Sequence, residues 1–382
     1  MSAAIAERFG SLWERARTYD RPLLVIAAIL FAIGILLSMA ASPAATARIR
    51  IEEAFYFAGR QAAYACLGAL VMFLVASLEP RQLRRGATIA VAVFLPLCLL
   101  ASLVGPEIKG AQRWLELGPL SMQPSELLKP ALIVVWAWML SEAMKSPGFP
   151  GRAVAIGLYA VTAAALLSQP DIGQTALLGL CLAPMLILSG VALRYVLGGG
   201  VLAAAGAWAI YRFYPHARER VDAFLNPTGD AAYQVNRALD AIASGGVFGR
   251  GPGEGVIKTR LPDAHADFVF AVAAEEFGLI ASLGIIGVFG ALAFRGLSRA
   301  SRLNEPFEQL AAAGLITLLV AQAAIHMAVN LSLVPAKGMT LPFISFGGSS
   351  MIGSALALGC CLSLLRDRPG AYLYPGRRRA EP

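Results

Sequence analysis

Charge is scarce in this chain. Only 15% of its 382 residues are Asp, Glu, Lys or Arg, while 57% are hydrophobic, a balance that excludes a water-soluble domain of this length. Cysteine occurs five times, and Cys66, Cys98, Cys181, Cys360 and Cys361 all lie inside apolar runs without metal-ligand spacing. They read as small buried apolar residues. Internal repeats are not evident, so nothing in the pattern supports an inverted-repeat transporter. No cleavable signal peptide is expected, because the basic N-terminal stretch (Arg8, Arg15, Arg17, Arg21) leads into an apolar run long enough to stay as an anchor. The formal charge of +8 does not imply nucleic acid, since the basic residues cluster at the ends of apolar runs and do not interleave with aromatics.

What is present in abundance is membrane-length hydrophobicity. Apolar runs of about 18 residues or more, each able to cross a hydrocarbon core roughly 30 Å thick, recur along the chain. The pattern predicts an all-α polytopic membrane protein of about ten transmembrane helices, near 23–42, 60–78, 87–105, 125–141, 153–170, 172–190, 195–213, 268–294, 309–330 and 346–365. Residues 1–22 form a cytoplasmic N-terminal segment, 23–365 one membrane domain whose long outer loop runs 214–267 between spans 7 and 8, and 366–382 a basic cytoplasmic tail. Both termini are assigned to the cytoplasm. Arg81/Arg84/Arg85, Lys145/Arg152 and Arg295/Arg299/Arg302 crowd the same side as the basic ends.

That orientation brings four polar segments to the outer face. KGAQRWLELGPLSMQPSELLK (109–129) carries Arg113 and Trp114 in a loop with a Gly118-Pro119 turn, and a helix starting after Pro124 that Gln123 or Ser125 caps. Glu126 and Lys129 share one helical face. They are either a self-neutralising pair or a site in which Lys129 or Arg113 meets an anionic headgroup while Glu126 orients it. Trp114 alone would be an interfacial anchor. QPDIGQ (169–174) contains Asp171. PAKGMTLPFISFGGSS (335–350) holds Pro335, Lys337, Pro342, Gly347 and Gly348, an irregular stretch tolerated only where protein buries it or it lines a wet cavity. Lys337 suits a phosphate.

The fourth segment, LPDAHADF (261–268), sets Asp267 where an apolar run resumes. A carboxylate at that depth needs a partner or a task, and burial in a cleft would make it a better base. His265 reads as structural rather than as a metal ligand. Glu275 and Glu276, about two turns deeper, require cationic or hydrogen-bonding partners. Upstream, YQVNRALDAI has the spacing of a short amphipathic helix lying along the interface. The glycines of 245–255 are a weak signal for a phosphate cradle, lacking a Walker lysine and serine. Lys258 and Arg260 are either further phosphate contacts or solvated loop charges.

Together these segments resemble the SEDS family of RodA/FtsW membrane glycosyltransferases. RW-x11-E-x2-K, QPDIG, LPDAHADFVFAVAAEEFG and the 335–350 segment match it in order and spacing, over nearly the whole chain. The closing segment is similar to that of division-type (FtsW) members, which typically read PTKGxTLPxxSYGGSS; Ala336, Phe346 and LPDAHADF in place of LPEAHTDF are mild departures. The resemblance implies polymerisation of lipid II onto a nascent undecaprenyl-linked glycan chain at the periplasmic face of the inner membrane, at the division septum. It implies an essential aspartate at Asp267 and important residues at Trp114 and Glu126. It also implies a cognate class B penicillin-binding protein (an FtsI-type transpeptidase) and other divisome membrane proteins as partners. On that reading Asp267 is the general base, with Arg113, Lys129 and Lys337 at the pyrophosphate and Lys258 and Arg260 in reserve. A divalent cation (Mg²⁺ or Mn²⁺) would turn Asp267 into a metal ligand, and both readings stay open. The alternatives are a lipid II flippase, a RodA-type elongation polymerase, and a non-catalytic division scaffold.

Overall fold

The computed structural model describes residues 18–366 except 109, 119, 214–217, 219–221, 223–228 and 336–337. Lys337, most of the N-terminal segment and nearly all of the basic tail therefore lie outside the described residues. Among the described residues the helices are α1 Arg21–Ile49, α2 Tyr56–Ala76, α3 Pro80–Val104, α4 Pro124–Lys145, α5 Gly151–Ser168, α6 Ile172–Leu188, α7 Leu193–Phe213, α8 Gly229–Gly245, α9 Val269–Ala300, α10 Pro306–Asn330 and α11 Gly348–Leu364. Eight are long and apolar enough to cross a membrane. Two shorter apolar helices, α6 and α11, fall where further spans were expected. The strands β1 Leu115–Leu117 and β2 Leu120–Met122 pair antiparallel, Leu115 opposite Met122, around Gly118 at φ 65°.

Helix α4 lies deep in the bundle, with Leu132, Ile133, Trp136, Ala137 and Leu140 wholly enclosed. It packs on α3, α10 and α11. Gly353 lets α11 cross α4 closely, since a Cβ there would stand 2.4 Å from the Glu126 carbonyl oxygen; small residues allow such approaches inside a bilayer. At one end of the bundle Asp20 caps α1, accepting from Leu23 N at 3.2 Å, and pairs with Arg295 at 2.7 Å and Arg299 at 3.2 Å.

The expected span 268–294 is not one continuous helix. Gly278 adopts φ 76°, ψ −170° and breaks α9 in two. Residues 269–276 are all buried, whereas Leu279, Ile280 and Leu283 beyond the break are exposed. A helix break inside a membrane leaves backbone groups that protein must satisfy. The glycine-rich loop does this on both sides: Arg250 N and Gly251 N donate to the Glu275 and Glu276 carbonyls at 3.0 Å, and Leu279 N and Ile280 N donate to Gly246 O and Val247 O at 3.0 and 3.3 Å. Such contact demands glycine. A Cβ on Gly249 would stand 2.1 Å from Glu276 O, and one on Gly278 2.4 Å from Gly249 N.

This replaces the phosphate-cradle reading of 245–255, because these amides face the helix break. One face of the amphipathic segment packs on protein: in α8, Ala238 and Ala241 join a core with Leu261, Phe268 and Val272, while Tyr233 and Leu239 stay exposed.

Candidate functional site

Residues 261–268 coil tightly. Asp263 takes a left-handed φ of 52°, and its carbonyl accepts from Ala266 N at 2.9 Å and Asp267 N at 3.0 Å. Asn330, fully buried at the end of α10, donates from Nδ2 to Asp267 O at 3.1 Å and accepts at Oδ1 from Ala271 N at 3.1 Å. The closing segment clamps the same turn: Ser345 Oγ donates to Ala266 O at 2.7 Å and Phe346 N to His265 O at 3.0 Å. The His265 ring lies on Phe57, centroids 4.3 Å apart. Asp267 itself is half-buried. Its carboxylate lies against Gly338, where a Cβ would stand 3.8 Å from Oδ2.

Residues 339–347 of the closing segment are irregular, with Met339 and Leu341 to Ser345 buried in protein. After Pro342 the chain turns through Phe343 at φ 65°, whose ring packs edge-on against Phe31. Gly347 precedes α11, and Gly348 admits Tyr64, whose ring carbon would stand 3.0 Å from a Cβ there. Pro335 borders the undescribed pair that includes Lys337.

Beneath this surface runs a buried polar chain. Gln174 Nε2 and Lys129 Nζ both donate to Glu126 Oε1 at 2.8 Å; Lys129 Nζ also donates to Gln322 Oε1 at 2.8 Å, and Gln322 Nε2 to Thr340 O at 3.0 Å. Glu126 and Lys129 are 4% and 2% exposed, which corrects their assignment as direct substrate contacts: they are the self-neutralising pair, extended by two glutamines. Gln174 and Gln322 were not singled out in the sequence, although an amide inside an apolar run is a signal for such bonding. Gln123 stands at the N-cap of α4 ahead of Pro124, yet its side chain donates to Ser125 Oγ at 3.1 Å and makes no cap bond. Its backbone N–H donates to Ser349 Oγ at 3.1 Å, tying α4 to α11.

Arg113 reaches the QPDIGQ turn, donating from Nη2 to Pro170 O at 2.9 Å, with Nε 3.4 Å from Asp171 Oδ2. Asp171 caps α6 through Gln174 N at 3.2 Å. Burial pushes its carboxyl above the usual range, and Arg113 opposes that shift. Trp114 is half-buried, its carbonyl oxygen 2.6 Å from where a Cβ on Gly105 would stand.

Lys258 does not join the site. It is buried, and its ammonium donates to Ala40 O at 2.8 Å, to Gly253 O at 3.3 Å and to Glu276 in a short ion pair. Glu275 accepts from Ile257 N at 2.6 Å and Lys258 N at 2.9 Å. The two acids thus have the partners they require, and both readings of Lys258 are replaced by a structural one. Arg260 is exposed on this loop. No cluster of three His, Cys, Asp or Glu side chains able to hold a metal ion occurs among the described residues.

Known proteins share this architecture. A family profile described as cell cycle protein (FtsW/RodA/SpoVE) matches residues 20–369. The chain is 47% identical over 361 residues to a probable peptidoglycan glycosyltransferase FtsW of Caulobacter vibrioides, covering 93% of this chain and 91% of that protein. It is 31% identical to stage V sporulation protein E of Bacillus subtilis, covering 91% and 97%. Among solved structures, a peptidoglycan synthase complex coordinating polymerization and crosslinking contains a chain matched at TM-score 0.77 with 30% identity, covering 92% of this chain and 98% of that one. The rod shape determining protein RodA of Thermus thermophilus matches at TM-score 0.68 with 29% identity, covering 92% and 97%. With the profile spanning almost every described residue, the chain belongs to the FtsW/RodA/SpoVE family of polytopic membrane proteins.

Proposed function

We propose that this chain is a peptidoglycan glycosyltransferase of the division type, polymerising lipid II into glycan strands at the outer face of the cytoplasmic membrane during septal wall synthesis. The observation that carries the reading is the Asp267 turn, clamped through its backbone by Asn330 and Ser345, with its carboxylate half-buried against the closing segment. The family membership and the 47% identical relative named as a glycosyltransferase support it.

Asp267 takes the proton of the acceptor sugar 4-hydroxyl as its oxygen bonds to the donor anomeric carbon. The anomeric carbon–oxygen bond breaks, and undecaprenyl pyrophosphate leaves with the electron pair. A single displacement inverts that carbon. Cations stabilise the departing charge. Arg113 and Arg260 remain for this among the described residues, with Lys337 proposed from its sequence position beside Gly338. A Mg²⁺ or Mn²⁺ ion binds through one or two carboxylates plus substrate phosphates without an all-protein cage; Asp267 is the residue that would hold it here, and the ion would screen the pyrophosphate. The likeness to a synthase complex that couples polymerization to crosslinking supports a class B penicillin-binding protein as partner. The remaining divisome contacts are proposed from the resemblance alone.

Purified protein with that transpeptidase and labelled lipid II should give glycan ladders on a gel. Asp267→Asn should lose about 10²–10⁴-fold in rate at an unchanged melting temperature. Near wild-type ladders from the variant would remove Asp267 as base. Headgroup translocation in liposomes without ladders would replace the polymerase by a flippase. Chelation followed by Mg²⁺ or Mn²⁺ addition, read as initial ladder rate, tests the ion.

A further inference from the structure

The end of the bundle opposite Asp267 carries a basic groove that the polymerisation chemistry does not use. Arg81, Arg84, Arg85 and Thr88 recur at i, i+3, i+4 and i+7, one face of α3. They border a groove of about 990 Å³ walled by Trp138, Met139 and Glu142 of α4 and by Ser146 and Phe149 of the turn into α5. These α4 residues lie 14 or more positions from Pro124, about 20–30 Å along the helix from the outer network at 1.5 Å per residue.

The groove is built before anything enters it. The Arg84 guanidinium lies 5.6 Å over the Trp138 ring and 5.1 Å over Phe307, with Nη1 3.8 Å from Glu142 Oε1. Trp138 Nε1 donates to the same Glu142 oxygen at 3.3 Å. The turn is pinned by Ser146 N to Glu142 O and Phe149 N to Ser146 O, both 2.9 Å. It crosses α4 so closely that a Cβ on Gly151 would stand 2.0 Å from Met139 O. The single acid of the lining is thus paired. Arg81 and Arg85 are exposed and have no side-chain partner among the described residues, leaving two uncompensated positive charges. Beside them Ile89 and Phe149 are 65% and 39% exposed. Positive charge at one end and apolar wall at the other match a molecule that is anionic at one end and hydrocarbon at the other. A free phosphate or an acidic peptide would leave the apolar part uncovered.

We propose that this groove binds an anionic diacyl phospholipid of the leaflet opposite the polymerisation site, its phosphate between Arg81 and Arg85 and its chains along Ile89 and Phe149. Basic pockets between membrane helices recognise such headgroups, each arginine near the surface contributing about 1 kcal/mol, or roughly fivefold in retention.

The test is native mass spectrometry of the full chain released from micelles holding equal phosphatidylglycerol and phosphatidylcholine. Wild type should retain phosphatidylglycerol selectively, and R81Q/R85Q should lose that selectivity by on the order of 25-fold. R81K/R85K, which keeps both charges, should keep the selectivity and serves if the neutral variant folds poorly. R302Q, at an exposed arginine on the same end of the bundle, should behave as wild type. Equal retention of both lipids by wild type, an equal loss in R302Q, or displacement by inorganic phosphate would each overturn the proposal. Preference for a Glu-rich peptide over phosphatidylglycerol would overturn it too, making the groove a protein-docking surface.

Discussion

Lys258 is the residue whose environment differs most from its sequence context. Nine positions before Asp267 it looks like a phosphate ligand, but its ammonium is buried against Ala40, Gly253 and Glu276. Removing one partner of a buried ion pair leaves an uncompensated charge costing about 3–5 kcal/mol. Lys258→Met should therefore lower the melting temperature sharply, and Glu276→Gln in the same chain should recover much of the loss. Asp171 offers a pH test. Its folded carboxyl is raised above 3.8 by burial, so the folded chain binds that proton more tightly than the unfolded chain. This contribution is fully present below 3.8 and is lost as pH rises through the folded pKa. Asp171→Asn should therefore melt progressively higher relative to wild type as pH increases across that window. Charge and type were legible at both positions. The partners were not, because they are separated in sequence by 18 residues for Lys258–Glu276 and 58 for Arg113–Asp171.

At the scale of elements, helices overlie all ten expected spans, since sustained hydropathy leaves few other structures open to a chain in lipid. The break at Gly278 escaped that reading because hydropathy is continuous through it. The signal was local: two adjacent acids and a glycine, EEFG, inside an apolar run. Gly278→Ala would place a Cβ 2.4 Å from Gly249 N at a φ of 76°, a strain of about 1–3 kcal/mol before the clash is counted. The variant should melt lower and exchange amide hydrogen faster at 246–251, whereas Gly284→Ala, where a Cβ meets open space, should match wild type. Unchanged exchange at 246–251 in Gly278→Ala would show that the loop does not depend on the break.

For the molecule as a whole, the convergence of four polar segments was legible, and hydrogen bonds do tie them: 266 to 345, 123 to 349, 126 to 174 and 113 to 170. The depth at which each lies was not, so Glu126 and Lys129 looked like contacts and are scaffold. Gln322 joins the helix carrying this pair to the closing segment. Gln322→Leu leaves Lys129 and Thr340 short of a partner, about 1–3 kcal/mol for each buried group. Its ladder rate should fall together with its melting temperature, while helical circular dichroism is kept; an unchanged rate would detach this network from catalysis. The joint in α9 has a mechanical consequence at the same scale. A bilayer that thins or thickens tugs on the lipid-facing rod 279–300. The break sets that rod apart from the short platform behind Asp267, which is walled by protein along 269–276 and braced by the 246–251 loop, so strain from the surrounding membrane should reach the platform damped.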